Sequence, residues 1–248
     1  MKTLKAVSAL LTYPMAGLQG AVPEIRRVLR DEGVLTQVRR DALEPLLASL
    51  AVEDLYDLQE RYVMLFDRTR SLSLHLFEHV HGESRDRGQA MVDLRNVYEE
   101  GGFELASTEL PDYIPLFLEY CSYRPQDEAR HLLAEAAHIL AAIGERLRKR
   151  DSAYAALFEA LVAIAAVQPT DAAMGVVVAD GGEDPTDLRA LDAVWEEEEV
   201  RFGLGSAAEC GVDGLAAKVR QARRPAPGAE VPASHPARTV FTHLSSTN

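Results

Sequence analysis

Three histidines lie close together within residues 71–98, a stretch that also carries alternating acids and bases. His75, Glu78 and His79 form the pattern H-x-x-E-H. If the pattern lies on a helix, it brings two imidazoles to one side, four residues apart, with a carboxylate beside the second. Such an arrangement is typical of zinc hydrolases.

A catalytic zinc site also needs a third protein ligand and an open position for water. His81 and Glu83 are the nearest candidates, but Gly82 between them predicts a break in the helix. The residues therefore leave two interpretations open. One is a zinc-dependent hydrolase that uses His75, Glu78 and His79, and the other is a set of hydrogen-bonded histidines at a helix junction or a binding surface.

Other catalytic patterns are weaker. The segment 82–86, GESRD, resembles a nucleophile elbow, but Asp86 stands where the second glycine belongs and no predicted strand precedes it. The sequence contains neither G-x-G-x-x-G after a strand nor G-x-x-x-x-G-K, so it does not indicate a phosphate cradle for a nucleotide.

The chain carries 26 Lys plus Arg against 39 Asp plus Glu, a formal net charge of −13. A surface this negative repels phosphate backbones and anionic lipid, so we expect a basic partner and no nucleic acid. Apolar runs at residues 6–11 and 160–167 are too short for a signal peptide or a membrane span. These features predict a soluble, cytoplasmic protein without membrane insertion.

The elements that must position the histidines are helical. Apolar residues recur at helical spacing along most of the chain, and only the run 176–178 has the character of a strand. We expect a turn across Pro14–Pro23, a helix end or kink at Pro45, and a helix cap at Asp112. The predicted helices cover residues 3–11, 22–29, 36–50, 53–67, 83–100, 114–121, 126–149, 154–167, 184–195 and 209–223.

The periodicity predicts one all-α domain, a single-domain helical bundle of residues 1–224, with the histidine stretch near its middle. Residues 225–248 contain four prolines among small and polar residues, which predicts a disordered tail.

Three stretches resemble the NarJ family, the assembly chaperones of respiratory nitrate reductase within the wider TorD/DmsD group. They are the central segment with His79-Val-His81-Gly-Glu83-Ser-Arg85-Asp-Arg87-Gly-Gln89, the segment from Glu109 to Tyr120, and the segment from Asp192 to Phe202. The resemblance covers most of residues 1–203.

This resemblance implies a TorD-like helical bundle that is not an enzyme. Its implied partner is the apo catalytic α subunit of nitrate reductase, whose N-terminal region it binds in the cytoplasm before membrane assembly. The chaperone binds no cofactor stably and holds its client competent for insertion of the molybdenum bis-guanine-dinucleotide cofactor. Molybdenum cofactor biosynthesis proteins are further implied partners.

The resemblance also implies a client-peptide site. The TorD group carries E-x-x-D-H at a hinge between helices, and Glu109 and Asp112 match it here, whereas Tyr113 replaces the histidine. Roles that need an imidazole at that place, and guanine-nucleotide binding, are therefore not carried over. The residues carried over as the client-binding surface are His79, His81, Glu83, Arg85, Arg87, Gln89, Asp93, Glu109 and Asp112.

An acidic helical groove with apolar walls could take an amphipathic client helix with a basic face. Four aromatic residues are candidates for those walls: Tyr62, Phe66, Phe77 and Tyr98. Packing in the core is the alternative role of these rings.

Overall fold

The computed structural model describes residues 1–81, 85–105, 109–167, 169–170, 174, 177 and 238–240. Within them the prediction of an all-α fold is confirmed, because helices account for nearly all regular structure. The α-helices are α1 (Lys2–Leu10), α2 (Ala16–Asp31), α3 (Gln37–Val52), α4 (Leu55–Tyr62), α5 (Glu78–His81), α6 (Arg85–Glu100), α7 (Ile114–Ser122), α8 (Gln126–Lys149) and α9 (Ala155–Ala165). None of the described helices is long and apolar enough to cross a membrane.

Short elements connect and extend these helices. A π-helical turn, Val63–Asp67, continues α4, and a 3₁₀ turn, Arg70–Leu72, follows it. The strands β1 (Phe103–Leu105) and β2 (Arg238–Val240) pair in parallel. Neither strand was predicted from the sequence.

The core forms where the apolar faces of the helices meet. α8 packs along α9, α1 along α7, and α2 along α3. A side-chain carbon added at Gly144 of α8 would lie 3.0 Å from Cβ of Phe158 on α9, so the glycine permits this close approach. The Ser8 hydroxyl of α1 donates to the carbonyl oxygen of Pro115 at 2.7 Å and ties α1 to the start of α7.

The turn predicted across Pro14–Pro23 and the helix end predicted at Pro45 were wrong. The predicted turn at Pro14–Pro23 ends at Met15, since α2 begins at Ala16 and contains Pro23. α3 likewise runs through Pro45 to Val52. In both helices a buried leucine-rich stripe packs on the bundle, and this packing offsets the hydrogen bond that each proline removes.

Two predicted helices, at 184–195 and 209–223, fall outside the described residues. Most of the strand-like run 176–178, which is too isolated to predict a sheet, also falls outside them. Of the predicted tail, only Arg238–Val240 is described, and it forms β2.

Candidate functional site

Residues 74–77 and the loop before α7 lie side by side and are joined by backbone hydrogen bonds. The amide of Leu76 donates to the carbonyl oxygen of Asp112 at 3.0 Å, and the amide of Ile114 donates to that of Leu74 at 2.8 Å. His75 and Tyr113 form the antiparallel bridge between them. This pairing joins two of the stretches that carry the family resemblance.

The Asp112 carboxylate strengthens the same junction from inside. It is fully buried, and Oδ2 accepts from the amide of Phe77 at 3.1 Å while Oδ1 lies 3.2 Å from Nδ1 of His75. The prediction that Asp112 caps α7 was wrong, because Tyr113 stands at the N-cap and no side chain caps that helix. Asp112 instead satisfies donors of the segment that precedes α5.

His75 lies at the surface end of this contact, with 25% of its side chain exposed. Burial alone would lower the pKa of His75, but the hydrogen bond and the charge of Asp112 outweigh it and raise the pKa. The imidazole lies beside the Tyr113 ring, with 5.4 Å between the ring centroids. The exposed Asp67 is close enough for the charge of His75 to act on its carboxyl.

His79 is buried and both of its ring nitrogens face protein groups. Nε2 lies 2.7 Å from the carbonyl oxygen of Ser73, and Nδ1 lies 3.4 Å from Nη1 of Arg146. A carbonyl oxygen only accepts and a guanidinium only donates, so Nε2 carries the proton of the neutral ring. Burial lowers the pKa of His79 to about 4, and the nearby charge of Arg146 acts in the same direction.

Arg146 of α8 is a buried residue that the sequence analysis missed. Only 6% of it is exposed, and Nη1 donates to the carbonyl oxygen of Ser71 at 2.7 Å as well as facing His79. It therefore fixes residues 71–79 to the longest helix of the bundle. No local pattern marks it, because arginines also occupy the exposed face of α8.

These contacts overturn the geometry predicted for H-x-x-E-H. His75 precedes α5, which begins at Glu78, so the two imidazoles do not lie on one helix face. Nδ1 of His75 and both nitrogens of His79 already have partners in the protein. Among the described residues, no group of three or more His, Cys, Asp or Glu side chains is arranged to hold a metal ion.

Of the predicted polar residues of α6, Gln89 is exposed, and Arg87 and Asp93 are partly buried. Nη2 of Arg87 donates to Oε1 of Glu78 at 2.9 Å, which joins α6 to α5. Nε2 of Gln89 donates to Oδ1 of Asp93 at 3.1 Å, one turn further along. His81 ends α5 and Arg85 begins α6, whereas Glu83 lies outside the described residues.

The four predicted aromatic walls are buried in the core. Tyr62 packs on Phe66 at 4.9 Å between ring centroids and donates to the carbonyl oxygen of Leu11 at 2.9 Å. Tyr98 donates to the carbonyl oxygen of Pro111 at 2.8 Å. Their exposed fractions, like that of Phe77, are 5% or less, so in this conformation they support the junction from within.

The outer surface of the junction combines Glu109, which the resemblance assigned to client binding, and His75 with two residues that were not assigned to that surface, Asp67 and Tyr113. Burial raises the pKa of Tyr113 to about 12, and the negative charges of Glu109 and Asp67 add to this effect. The Tyr113 hydroxyl lies 3.4 Å from that of Tyr62, which in turn packs edge-on against the partly exposed Tyr13. Asp67, His75, Glu109 and Tyr113 are called the junction surface below.

Comparisons with known proteins assign this chain to a family. The model of the nitrate reductase delta subunit family matches residues 17–160. The nitrate reductase molybdenum cofactor assembly chaperone NarJ of Escherichia coli (strain K12) is 46% identical over 202 residues, which cover 82% of this chain and 85% of that protein. The chain therefore belongs to the nitrate reductase delta subunit family.

Two further relatives agree with this assignment. NarW of Escherichia coli (strain K12), described as a probable nitrate reductase molybdenum cofactor assembly chaperone, is 43% identical over 85% of this chain and 87% of its own length. NarJ of Bacillus subtilis (strain 168), described in the same words, is 32% identical over 65% of this chain and 86% of its own length. The resemblance seen in the sequence is thus confirmed.

Proposed function

We propose that this protein is an assembly chaperone of respiratory nitrate reductase and not an enzyme. It binds the apo catalytic α subunit in the cytoplasm and holds it competent for insertion of the molybdenum bis-guanine-dinucleotide cofactor before membrane assembly. The observation that carries the proposal is the 46% identity to the Escherichia coli chaperone over 82% of this chain. The cofactor is cargo of the client, delivered by cofactor biosynthesis proteins, and the chaperone itself binds none stably.

The N-terminal region of the α subunit is the proposed client segment, and the junction surface with the outer side of α6 is its proposed site. Asp67 and Glu109 add negative charge around the aromatic edge of Tyr113. Carboxylates beside an aromatic ring favour a lysine or arginine side chain, because its positive charge is attracted both by the carboxylates and by the face of the ring. The net charge of −13 steers such a basic segment toward the protein.

The buried members of the predicted site have a positioning role in this proposal. Asp112 and His79 hold residues 73–77 in place, and Tyr98 holds Pro111. Arg87, Gln89, Asp93 and Glu109 lie further out and remain candidates for direct contact. Among the described residues, the client thus meets a surface whose shape is set by buried hydrogen bonds.

Replacement of the native chaperone tests this function. We expect the protein to restore molybdenum content and nitrate reduction in a nitrate-respiring bacterium that lacks its own chaperones and carries the cognate reductase genes. The Asp112→Ala variant differs from the unmodified protein only at the junction. When both proteins are present at the same level in the cell, the variant should restore less molybdenum to the reductase. Cofactor-free α subunit in cells that contain the intact, folded protein would refute the proposal.

A further inference from the structure

The first turn of α4 presents an exposed aromatic side chain on a rigid support. Tyr56 is 80% exposed, although the same helix packs on the core through Leu58 and Tyr62. The Asp54 carboxylate caps α4 and accepts from the amide of Tyr56 at 2.8 Å. Aromatic side chains are enriched at protein interfaces and often supply much of the binding energy there. Tyr56 is therefore well placed to contact a partner.

The turn between α1 and α2 lies beside α4 and adds two more apolar side chains. Tyr13 and Met15 are 39% and 38% exposed. Gln59 follows Tyr56 by three residues, which puts both on the same side of α4. Nε2 of Gln59 donates to the carbonyl oxygen of Pro14 at 2.8 Å and lies 4.0 Å from Sδ of Met15, so α4 holds this turn in place. Tyr13, Met15 and Tyr56 are called the α4 patch below.

The α4 patch adjoins the junction surface. The ring centroid of Tyr13 lies 5.6 Å from that of Tyr62, whose hydroxyl lies 3.4 Å from that of Tyr113. The π-helical turn that continues α4 ends at Asp67, a member of the junction surface. From Tyr56 to Asp67 the chain rises about 16 Å, which equals roughly three turns of an α-helix. The patch and the junction surface together thus match a helical segment of that length.

The exposed carboxylates of α4 indicate the charge of the occupant. Asp57 and Glu60 are exposed, and within the described part of the chain neither forms an ion pair, whereas the neighbouring Arg61 pairs with Glu53. A lysine or arginine of a partner is attracted by such carboxylates and by the face of an exposed tyrosine. An apolar patch beside acidic side chains therefore favours a segment that is apolar on one face and basic on its flank.

We propose that the α4 patch is the apolar half of the client-binding site, on which a helical stretch of the α subunit's N-terminal region lays its apolar face. The proposal rests on the proposed function and adds the surface that supplies apolar contact, since the four aromatic walls expected from the sequence are buried. Basic side chains on the flank of the client helix then lie against Asp57 and Glu60. The end of that helix reaches the junction surface.

Variants of exposed residues test the patch without disturbing the core. Tyr56→Ser removes the exposed ring and keeps the amide that Asp54 caps. The matched control is Val38→Ser, which removes a 76% exposed side chain near the start of α3. Val38 lies about 21 Å along α3 from Val52, the residue at which this helix ends before α4.

The probe is a synthetic peptide with the N-terminal sequence of the cognate α subunit, titrated by calorimetry into each variant of the full chain. We expect Tyr56→Ser to bind at least about tenfold more weakly than the unmodified protein, because it loses an aromatic contact at the centre of the interface. Val38→Ser should bind as the unmodified protein does. Urea unfolding of both variants checks that the fold is intact.

Chemical protection locates the bound peptide independently of its affinity. Tyr56→Cys places a thiol in the α4 patch, and Val38→Cys places one at the control position. Saturating peptide should slow maleimide labelling of the first thiol at least about fivefold and leave the second unchanged, because labelling depends on access to the thiol. The unmodified protein, treated in the same way, gives the labelling of the two native cysteines.

Three results would overturn the α4 patch and leave the proposed function standing. They are equal affinity of Tyr56→Ser and the unmodified protein, an equal loss of affinity in Tyr56→Ser and Val38→Ser, and labelling of Tyr56→Cys at the same rate with and without peptide. Absence of peptide binding by the unmodified protein would contradict the client-binding proposal itself, and the α4 patch with it.

Discussion

Nδ1 of His75 lies 3.2 Å from Oδ1 of Asp112, a fully buried residue 37 positions further along the chain. The pair joins the central histidine stretch to the loop that begins α7. Asp112 also accepts from the amide of Phe77, so one carboxylate determines the course of the backbone on both sides of Leu76. This contact holds His75 outside α5.

Asp112→Asn should destabilise the protein most at mildly acidic pH. Asp112 raises the pKa of His75, so this contribution to stability is fully present below the ordinary histidine pKa and is lost as pH rises through the raised value. We expect a loss of about 2 kcal/mol near pH 6 and a smaller loss near pH 9, where an asparagine amide can donate to the neutral ring. Urea unfolding at both pH values measures the difference, and an equal loss at both would contradict this account of the pair.

The buried His79 should give the stability of the protein the opposite pH dependence. Its pKa is lowered to about 4 in the fold, so the unfolded chain binds a proton first and stability falls as pH drops from about 6.5 toward 4. His79→Gln removes this titration and should flatten that fall by up to about 3 kcal/mol, although it costs stability at pH 7. His131→Gln, on the exposed side of α8, is the control. If His79→Gln and the unmodified protein lose stability with the same slope, His79 is not buried in its neutral form.

Arg146→Met should cost about 2–4 kcal/mol of unfolding free energy, because it leaves the carbonyl oxygen of Ser71 and Nδ1 of His79 without their donor. Arg148→Met on the same helix removes an exposed pair with Glu145 and should leave the unfolding midpoint nearly unchanged. Similar losses in the two variants would show that Arg146 does not anchor the junction.

Helix periodicity predicted most of the fold because each helix carries its own pattern of buried residues. The predicted helix 126–149 corresponds to α8, and the predicted helix 83–100 ends at the same residue as α6. Pro23 and Pro45 lie inside helices, because packing of leucine-rich faces outweighed the local preference against proline. Strand β1 was missed, since three residues are too few to show an alternating pattern.

The candidate site was less predictable because its contacts join distant parts of the chain. The sequence indicated that Asp112 and His79 matter, but their partners, Phe77 and Arg146, follow from tertiary packing. The helical reading of H-x-x-E-H failed since the backbone of Leu76 pairs with Asp112 and keeps His75 out of α5. Asp67 carried no sequence signal, and Tyr113 was noted only as the replacement for a histidine. Their place at the junction surface emerges only from the fold.

Zinc analysis tests the alternative interpretation directly. We expect the purified protein to contain far less than one zinc per chain, because the nitrogens of His79 already have partners in the protein. Dialysis against zinc and elemental analysis should give the same low value for the unmodified protein and for a His75→Ala, His79→Ala variant. One zinc per chain that disappears in this variant would restore the hydrolase interpretation.

Asp67→Lys tests the proposed client surface. We expect it to weaken binding of the α-subunit peptide about tenfold, or about 1.4 kcal/mol, because it replaces an attractive charge beside Tyr113 with a repulsive one. The control variant is Glu24→Lys on α2, which makes the same change in net charge. Glu24 interacts electrostatically with Lys2 at the start of α1, whereas Tyr13 follows the opposite end of that helix. If both variants weaken binding equally, net charge alone and not the junction surface governs recognition.

The most direct measurement is calorimetric titration of the unmodified protein with the N-terminal peptide of its cognate nitrate reductase α subunit, at low and at physiological salt. We expect saturable binding that weakens as salt screens the attraction between a basic peptide and the acidic chaperone. A peptide of the same composition in scrambled order should bind much more weakly. No saturable binding at either salt concentration would contradict the proposal that this family member recognises the N-terminal region of its client.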